Sequence, residues 1–176
     1  MVTIRAEILA DVTAREALLD RAFGRGRNRK TSQRIRDDRL PAEGLAFTAL
    51  SKSGRVIGTL RMWNVIAGLA GPSLLLGPLA VDARYQRRGI GRELITHALN
   101  IAKVQGHASV LLVGDEPYYS RFGFNRSLVA DLHLPGPVER NRFLGLELIS
   151  GALDGAEGLV MASGALAPNA EEVIAA

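Results

Sequence analysis

The sequence contains no cysteine, which excludes disulfides, thiolate metal sites and a thiol nucleophile. It also has no run approaching the roughly 18 to 20 uninterrupted apolar residues of a membrane helix. The start, Met1-Val2-Thr3-Ile4-Arg5, lacks the basic segment and apolar stretch of a secretory signal, so a cytoplasmic location without membrane partners is expected. Internal repeats and low-complexity segments are missing too. The three histidines, His97, His107 and His133, have no metal-ligand spacing, and no metal is expected.

What remains is an ordinary globular composition, 47% apolar and 23% charged, over 176 residues. That length suits one domain spanning 1–176, with a core over about 2–124, further strands within 125–167 and a frayed tail over 168–176. Lysine and arginine outnumber the acids by 22 to 18, a formal charge of +4. Most of the cations are arginines, whose fork fits phosphate and carboxylate oxygens, so an anionic ligand is indicated. They crowd between residues 21 and 39, where Arg21, Arg25, Arg27, Arg29, Lys30, Arg34, Arg36 and Arg39 fall together.

Hydrophobic periodicity orders the chain. Alternation over Val2 to Leu9 predicts a first strand, and a helix follows to about Phe23, capped by Asp11 or Thr13. A flexible basic loop over Gly24 to Thr31 leads to a short helix from Ser32 to Arg39, stopped by Pro41. Leu45 to Leu50 and Arg55 to Ile66 read as a hairpin, and Leu74 to Val81 as a further strand buried on both faces. Ile90, Leu94, Ala98, Ile101 and Ala102 mark a long amphipathic helix from about Gly89 to Gln105. Ser109 to Val113, a turn of helix over Pro117 to Arg121, and strands near Phe143 to Leu148 and Gly158 to Ala162 complete the order. This order implies an α/β (α+β) fold: a mixed sheet with helices on both faces, in which Leu74–Val81 and Ser109–Val113 run parallel.

Two features of that order point to a ligand. Pro78 has no N–H for a ladder, so a central strand containing it must bulge or open. Gln86-Arg87-Arg88-Gly89-Ile90-Gly91-Arg92 then opens the long helix, where tight glycine turns and unpaired first-turn amides suit a phosphate or pyrophosphate. Arg84 adds charge nearby. A dinucleotide fingerprint fails because Leu94 stands where a third small residue is needed, and no P-loop spacing is present.

Leu79-Ala80-Val81 followed by Gln86 and Arg-Arg-Gly-Ile-Gly resembles the acetyl-CoA-binding motif of the GCN5-related N-acetyltransferase (GNAT) family. Tyr118-Tyr119-Ser120-Arg121-Phe122-Gly123-Phe124 resembles that family's later signature, and Leu-Gly-Pro-Leu-Ala-Val with Gly-Asp-x-Pro-Tyr-Tyr looks like its YhbS-type branch. The resemblance implies a mostly antiparallel sheet splayed between two parallel strands, with coenzyme A in the gap. It implies acetyl-CoA as donor and an amine acceptor attacking the thioester directly, in a monomer or homodimer. On the same basis, Leu79, Ala80 and Val81 should hold the acetyl and pantetheine end, and Arg87, Arg88, Gly89, Ile90, Gly91 and Arg92 the pyrophosphate. Gln86 should order the turn, the N–H of Leu79 should face the oxyanion, and Tyr119 should act as general acid.

The residues alone leave several readings open. Asp115 and Glu116 are either a general base or loop acids capping the short helix. The basic stretch 21–39 is either a solvated loop or one wall of an acceptor site. A non-catalytic acyl-CoA-binding module is the alternative to an enzyme, and a nucleic-acid binder is the less favoured one. Phe23 is the only stacking platform in the basic stretch.

Overall fold

The computed structural model describes residues 2–168; the expected frayed tail lies outside the described residues, apart from Pro168. Eight strands form the sheet: β1 (Thr3–Ala6), β2 (Ala46–Leu50), β3 (Val56–Ala67), β4 (Pro72–Val81), β5 (Ser109–Val113), β6 (Asp131–His133), β7 (Phe143–Glu147) and β8 (Glu157–Ala162). The main path runs β1-β2-β3-β4-β5-β7, while β8 pairs with the far end of β3 and with β6. All pairs are antiparallel except β4 with β5 and β6 with β8, so the sheet is mixed, as the element order implied.

Among the described residues four α-helices accompany it: α1 (Val12–Phe23), α2 (Thr31–Arg34), α3 (Ile90–Val104) and α4 (Glu116–Tyr119). None among the described residues is long and apolar enough to cross a membrane. The buried stripe of α3, Ile90, Leu94, Ile95, Ala98 and Ala102, packs on one sheet face against Phe47, Leu60, Met62, Leu74, Leu76, Val110 and Leu112. Leu18 and Leu19 of α1 cover Val56 and Ala80, and Trp63, Leu75 and Leu111 belong to a second layer completed by Leu132, Phe143 and Val160. Helices therefore lie on both faces.

Three local expectations change. Asp11 stands at the N-cap of α1 as expected but its side chain makes no capping bond there; a 3-10 turn over Leu9–Asp11 precedes the helix, and the carboxylate reaches back to the Ile8 N–H at 3.0 Å and to Arg5. The basic stretch after α1 is a 3-10 turn over Arg25–Arg29, because Arg27 is tied to Asp20 at 2.8 Å and to Glu16. The second helix ends at Arg34, after which tight turns replace the expected continuation to Arg39. Beyond Phe124, β6 is an element the apolar pattern had not marked, since a three-residue strand carries too little period to see.

Candidate active site

The parallel ladder between β4 and β5 is very short. It holds at Leu74 with Val110 and at Leu75 with Leu111, and then the two strands part. On the other side of β4, the register with β3 shifts between Leu60 and Met62, opposite Gly77 and Pro78, whose peptide bond is cis. The sheet opens where Pro78 predicted. Trp63 secures the bulge, its indole N–H donating to the Gly77 carbonyl at 2.6 Å.

Alternation of the antiparallel ladder fixes which way the remaining backbone of β4 points. Asp82 donates to the Ile57 carbonyl at 2.8 Å, so these two form a hydrogen-bonded pair. The pairs Gly58 with Val81 and Leu60 with Leu79 then fall at the non-bonded positions. The main-chain N–H and C=O of Leu79 and Val81 consequently face the gap beside β5, while those of Ala80 are engaged by β3.

Beyond β4 the chain makes the turn in which an anion site was expected. Buried Asp82 accepts from the Arg84 N–H at 3.0 Å and from its guanidinium at 2.8 Å, and this partner holds the carboxyl down to about 2. Arg84, still largely exposed, is thereby paired with Asp82. Gln86 reaches back to the Val81 carbonyl at 3.3 Å, Arg87 is left-handed at φ 61°, and Gly89 caps α3 at φ 81°. A left-handed non-glycine residue stores strain of order 1–3 kcal/mol, and such residues cluster at ligand sites. The N–H groups from Arg87 to Arg92 meet no acceptor among the described residues. Arg88 lies over the Tyr85 ring at 5.3 Å. Gly91 serves packing as well: a β-carbon there would sit 2.9 Å from the Tyr118 hydroxyl.

At its other end the gap widens into a cavity of about 750 Å3. Leu76 to Leu79 form one wall, Val113 to Asp115 with Tyr118 and Tyr119 another, and the α1–α2 region with Pro137, Val138, Glu139 and Arg142 the rest. Among the residues singled out from the sequence, Leu79 and Tyr119 meet here, whereas Ala80 to Arg92 lie along the gap and turn outside it. Tyr119 packs edge-on against Tyr118 and Phe124, at 5.0 and 5.9 Å. Burial pushes its phenol up to about 12, Tyr118 and Asp115 adding to the rise and Arg142 opposing it. Gly114 makes this seat possible, because a β-carbon there would lie 2.8 Å from Cδ2 of the ring and closer still to Cε2.

Asp115 stands at the N-terminus of α4 without a side-chain capping bond and lines the cavity; Glu116 does not line it. His97 packs edge-on to Phe47 at 4.8 Å, far from any role in this cavity. The basic stretch does supply a wall, with Arg27, Arg29, Lys30 and Arg36 all lining the cavity. Sequence reasoning missed Trp63, Asp82, Gly114 and the wall of Pro137, Val138, Glu139 and Arg142. Gly114 was the most discoverable of these, as a residue without a side chain between a buried strand and a helix start.

Known proteins share this arrangement. The profile of the Acetyltransferase (GNAT) family matches residues 13–124. The N-acetyltransferase YhbS of Escherichia coli strain K12 is 34% identical over 158 residues, covering 89% of this chain and 93% of its own. The crystal structure of Escherichia coli YhbS in complex with CoA superposes with a TM-score of 0.79 at 32% identity, over 92% of this chain and 89% of that one. A GNAT acetyltransferase from Brucella melitensis in complex with acetyl-CoA gives 0.60 at 26% identity, over 97% of both chains. With its splayed β4–β5 pair leading into a glycine-marked turn at the start of α3, the chain belongs to the GNAT acetyltransferase family, and it is an N-acetyltransferase.

Proposed function

We propose that this protein moves an acetyl group from acetyl-CoA to an amine acceptor bound in the cavity, by direct attack on the thioester. The observation that carries the reading is the pair of gap-facing main-chain groups at Leu79 and Val81, between the unpaired amides of 87–92 and Tyr119. An extended ligand with a pyrophosphate at one end and amides along its arm matches that spacing of donors. The CoA and acetyl-CoA complexes of the two relatives support the same donor.

In this reading the first-turn amides of α3 and the helix dipole hold the pyrophosphate, and Gln86 fixes the turn that presents them. The arm lies along β4, and the Leu79 N–H faces the carbonyl oxygen. As the neutral amine attacks the carbonyl carbon, negative charge gathers on that oxygen. A fixed donor there is worth about 3 kcal/mol. The intermediate collapses by breaking the carbon–sulfur bond, and the amine's extra proton leaves to Asp115 or water. Tyr119 gives its proton to the departing thiolate. With its pKa raised by burial, the phenol is protonated at neutral pH and available as a donor in every turnover.

Release of CoA in the presence of an amine panel, with calorimetric binding of acetyl-CoA, tests this. Tyr119→Phe should lower kcat at least tenfold with acetyl-CoA affinity within about twofold. Gly89→Glu, which sets a carboxylate at the anion-binding turn, should abolish acetyl-CoA binding. Full turnover by the first variant removes Tyr119 from the mechanism, and unchanged affinity of the second removes the turn from the donor site.

A further inference from the structure

Among the described residues, Arg36 is the one lining the cavity that has a buried side-chain polar atom without a partner. Its Nε is shielded from solvent and makes no hydrogen bond among the described residues, and its guanidinium takes part in no ion pair there. Three other cations of the stretch are engaged: Arg27 with Glu16 and Asp20, Arg34 with the Pro135 carbonyl at 3.2 Å, and Arg39 with the Gly164 carbonyl at 2.6 Å. Asp37, the neighbouring acid, is turned to Gln33 at 2.9 Å. Burial lowers the Arg36 guanidinium to about 10, which still leaves it charged at neutral pH.

Its position is built rather than incidental. The guanidinium lies against Gly77, where a β-carbon would sit 3.0 Å from Nη2, and Gly77 adopts φ 127°, which side chains disfavour. The turn carrying Arg36 is clasped to the opposite wall by Thr31, which donates to the Pro137 carbonyl at 2.5 Å. Arg36 as a whole is half-buried, but holding a cation with its Nε shielded and unbonded is costly, so folding alone does not account for it.

We infer that Arg36 anchors a carboxylate of the acceptor, so that the enzyme acetylates amines carrying a carboxylate near the amino group. The inference rests on the transferase reading above. Gly77 precedes Leu79 by two residues, roughly 7 Å along a strand. A small amino acid spans that distance with its carboxylate on the guanidinium and its nitrogen at the thioester. One planar fork suits one planar carboxylate. Arg29, Lys30 and Arg142, which also line the cavity and form no ion pair among the described residues, make its entrance cationic against Asp115 and Glu139.

The test compares the standard amino acids with their carboxamides, and with O-phosphoethanolamine, in CoA-release assays on the intact protein, Arg36→Gln and Arg36→Lys. At least one free acid should exceed its carboxamide about tenfold in kcat/KM. Arg36→Gln should then lower kcat/KM for that acid by about ten- to a hundredfold, mainly through KM, the range for losing a hydrogen bond to a charged group. Turnover of the carboxamide and affinity for acetyl-CoA should stay within about twofold. Arg36→Lys, which keeps the charge without the fork, should retain part of the preference and serves if the glutamine variant does not fold. Carboxamides or O-phosphoethanolamine turned over as well as the acids, no acid turned over at all, or a preference surviving in Arg36→Gln would each overturn the inference. Failure of the unaltered protein to bind acetyl-CoA would instead sink the transferase reading itself.

Discussion

Tyr119 has its position set by a residue that contributes no atoms of its own beyond the backbone. The ring rests where Gly114 leaves room, and Phe124 and Tyr118 hold its edges. Gly114→Ala overpacks this seat, a change that costs about 1–3 kcal/mol in a filled interior. Because the ring must move, kcat should fall by more than the change in acetyl-CoA affinity, and the aromatic near-ultraviolet dichroism should change with it. A variant with unaltered kcat would show that the ring's exact seat is immaterial. The motif that identified Tyr119 was plain in the sequence, whereas the need for Gly114 depended on a packing distance that spacing does not carry.

At the scale of elements, β4 is the decisive piece. Its first part is an ordinary buried strand, its centre bulges at Gly77 and Pro78, and its end offers every second residue to the gap. Trp63 ties the bulge to β3 across 14 positions of sequence through a buried hydrogen bond. Trp63→Phe keeps the aromatic packing but leaves the Gly77 carbonyl without its donor, at a cost of about 1–3 kcal/mol. The urea midpoint should fall accordingly, and kcat/KM should fall with it because the backbone from Gly77 to Leu79 walls the cavity; a midpoint unchanged within error would show that the indole donor does not hold the bulge. Proline chemistry alone made the opening of β4 legible in advance. Trp63 as its fastener was not, since the pairing register of a long hairpin with a bulge cannot be counted from residue types. The helix α3 was read nearly to its ends, because about four turns' worth of periodic apolar residues leave little ambiguity. The segment from Arg25 to Arg39 was misjudged, because ion pairs to α1 and backbone clasps to Pro135 and Pro137, invisible in local sequence, shape it instead of helix propensity.

Over the whole molecule, arginine–carboxylate pairs set how stability responds to acid. Hydrogen bonds from Arg5 hold Asp11 below its ordinary range, and Arg15 and Arg27 bring Glu16 down despite its burial. Asp82, held by Arg84, lies lowest, at about 2. As pH falls, the unfolded chain takes up these protons first, so stability present above about 4.5 is lost progressively as pH drops toward 2. The buried phenol of Tyr119 works in the opposite direction: the unfolded chain releases its proton first, and stability is lost as pH rises from 10 toward 12. Urea midpoints across the pH range should therefore show a plateau between these limits, and Asp82→Asn should flatten the slope between 3.8 and about 2. An unchanged slope in that variant would remove Asp82 from the account.

The bulge at Gly77 and Pro78 also bears on how the protein behaves among its own copies. An unpaired strand edge invites another chain to add itself, which is the usual start of β-aggregation. Here Pro78 interrupts the edge one residue before Leu79, and the facing Gly114 N–H is already given to the Arg142 carbonyl at 2.8 Å. The opening thus presents the main chain of Leu79 and Val81 at isolated positions and gives a foreign strand no continuous ladder along which to extend.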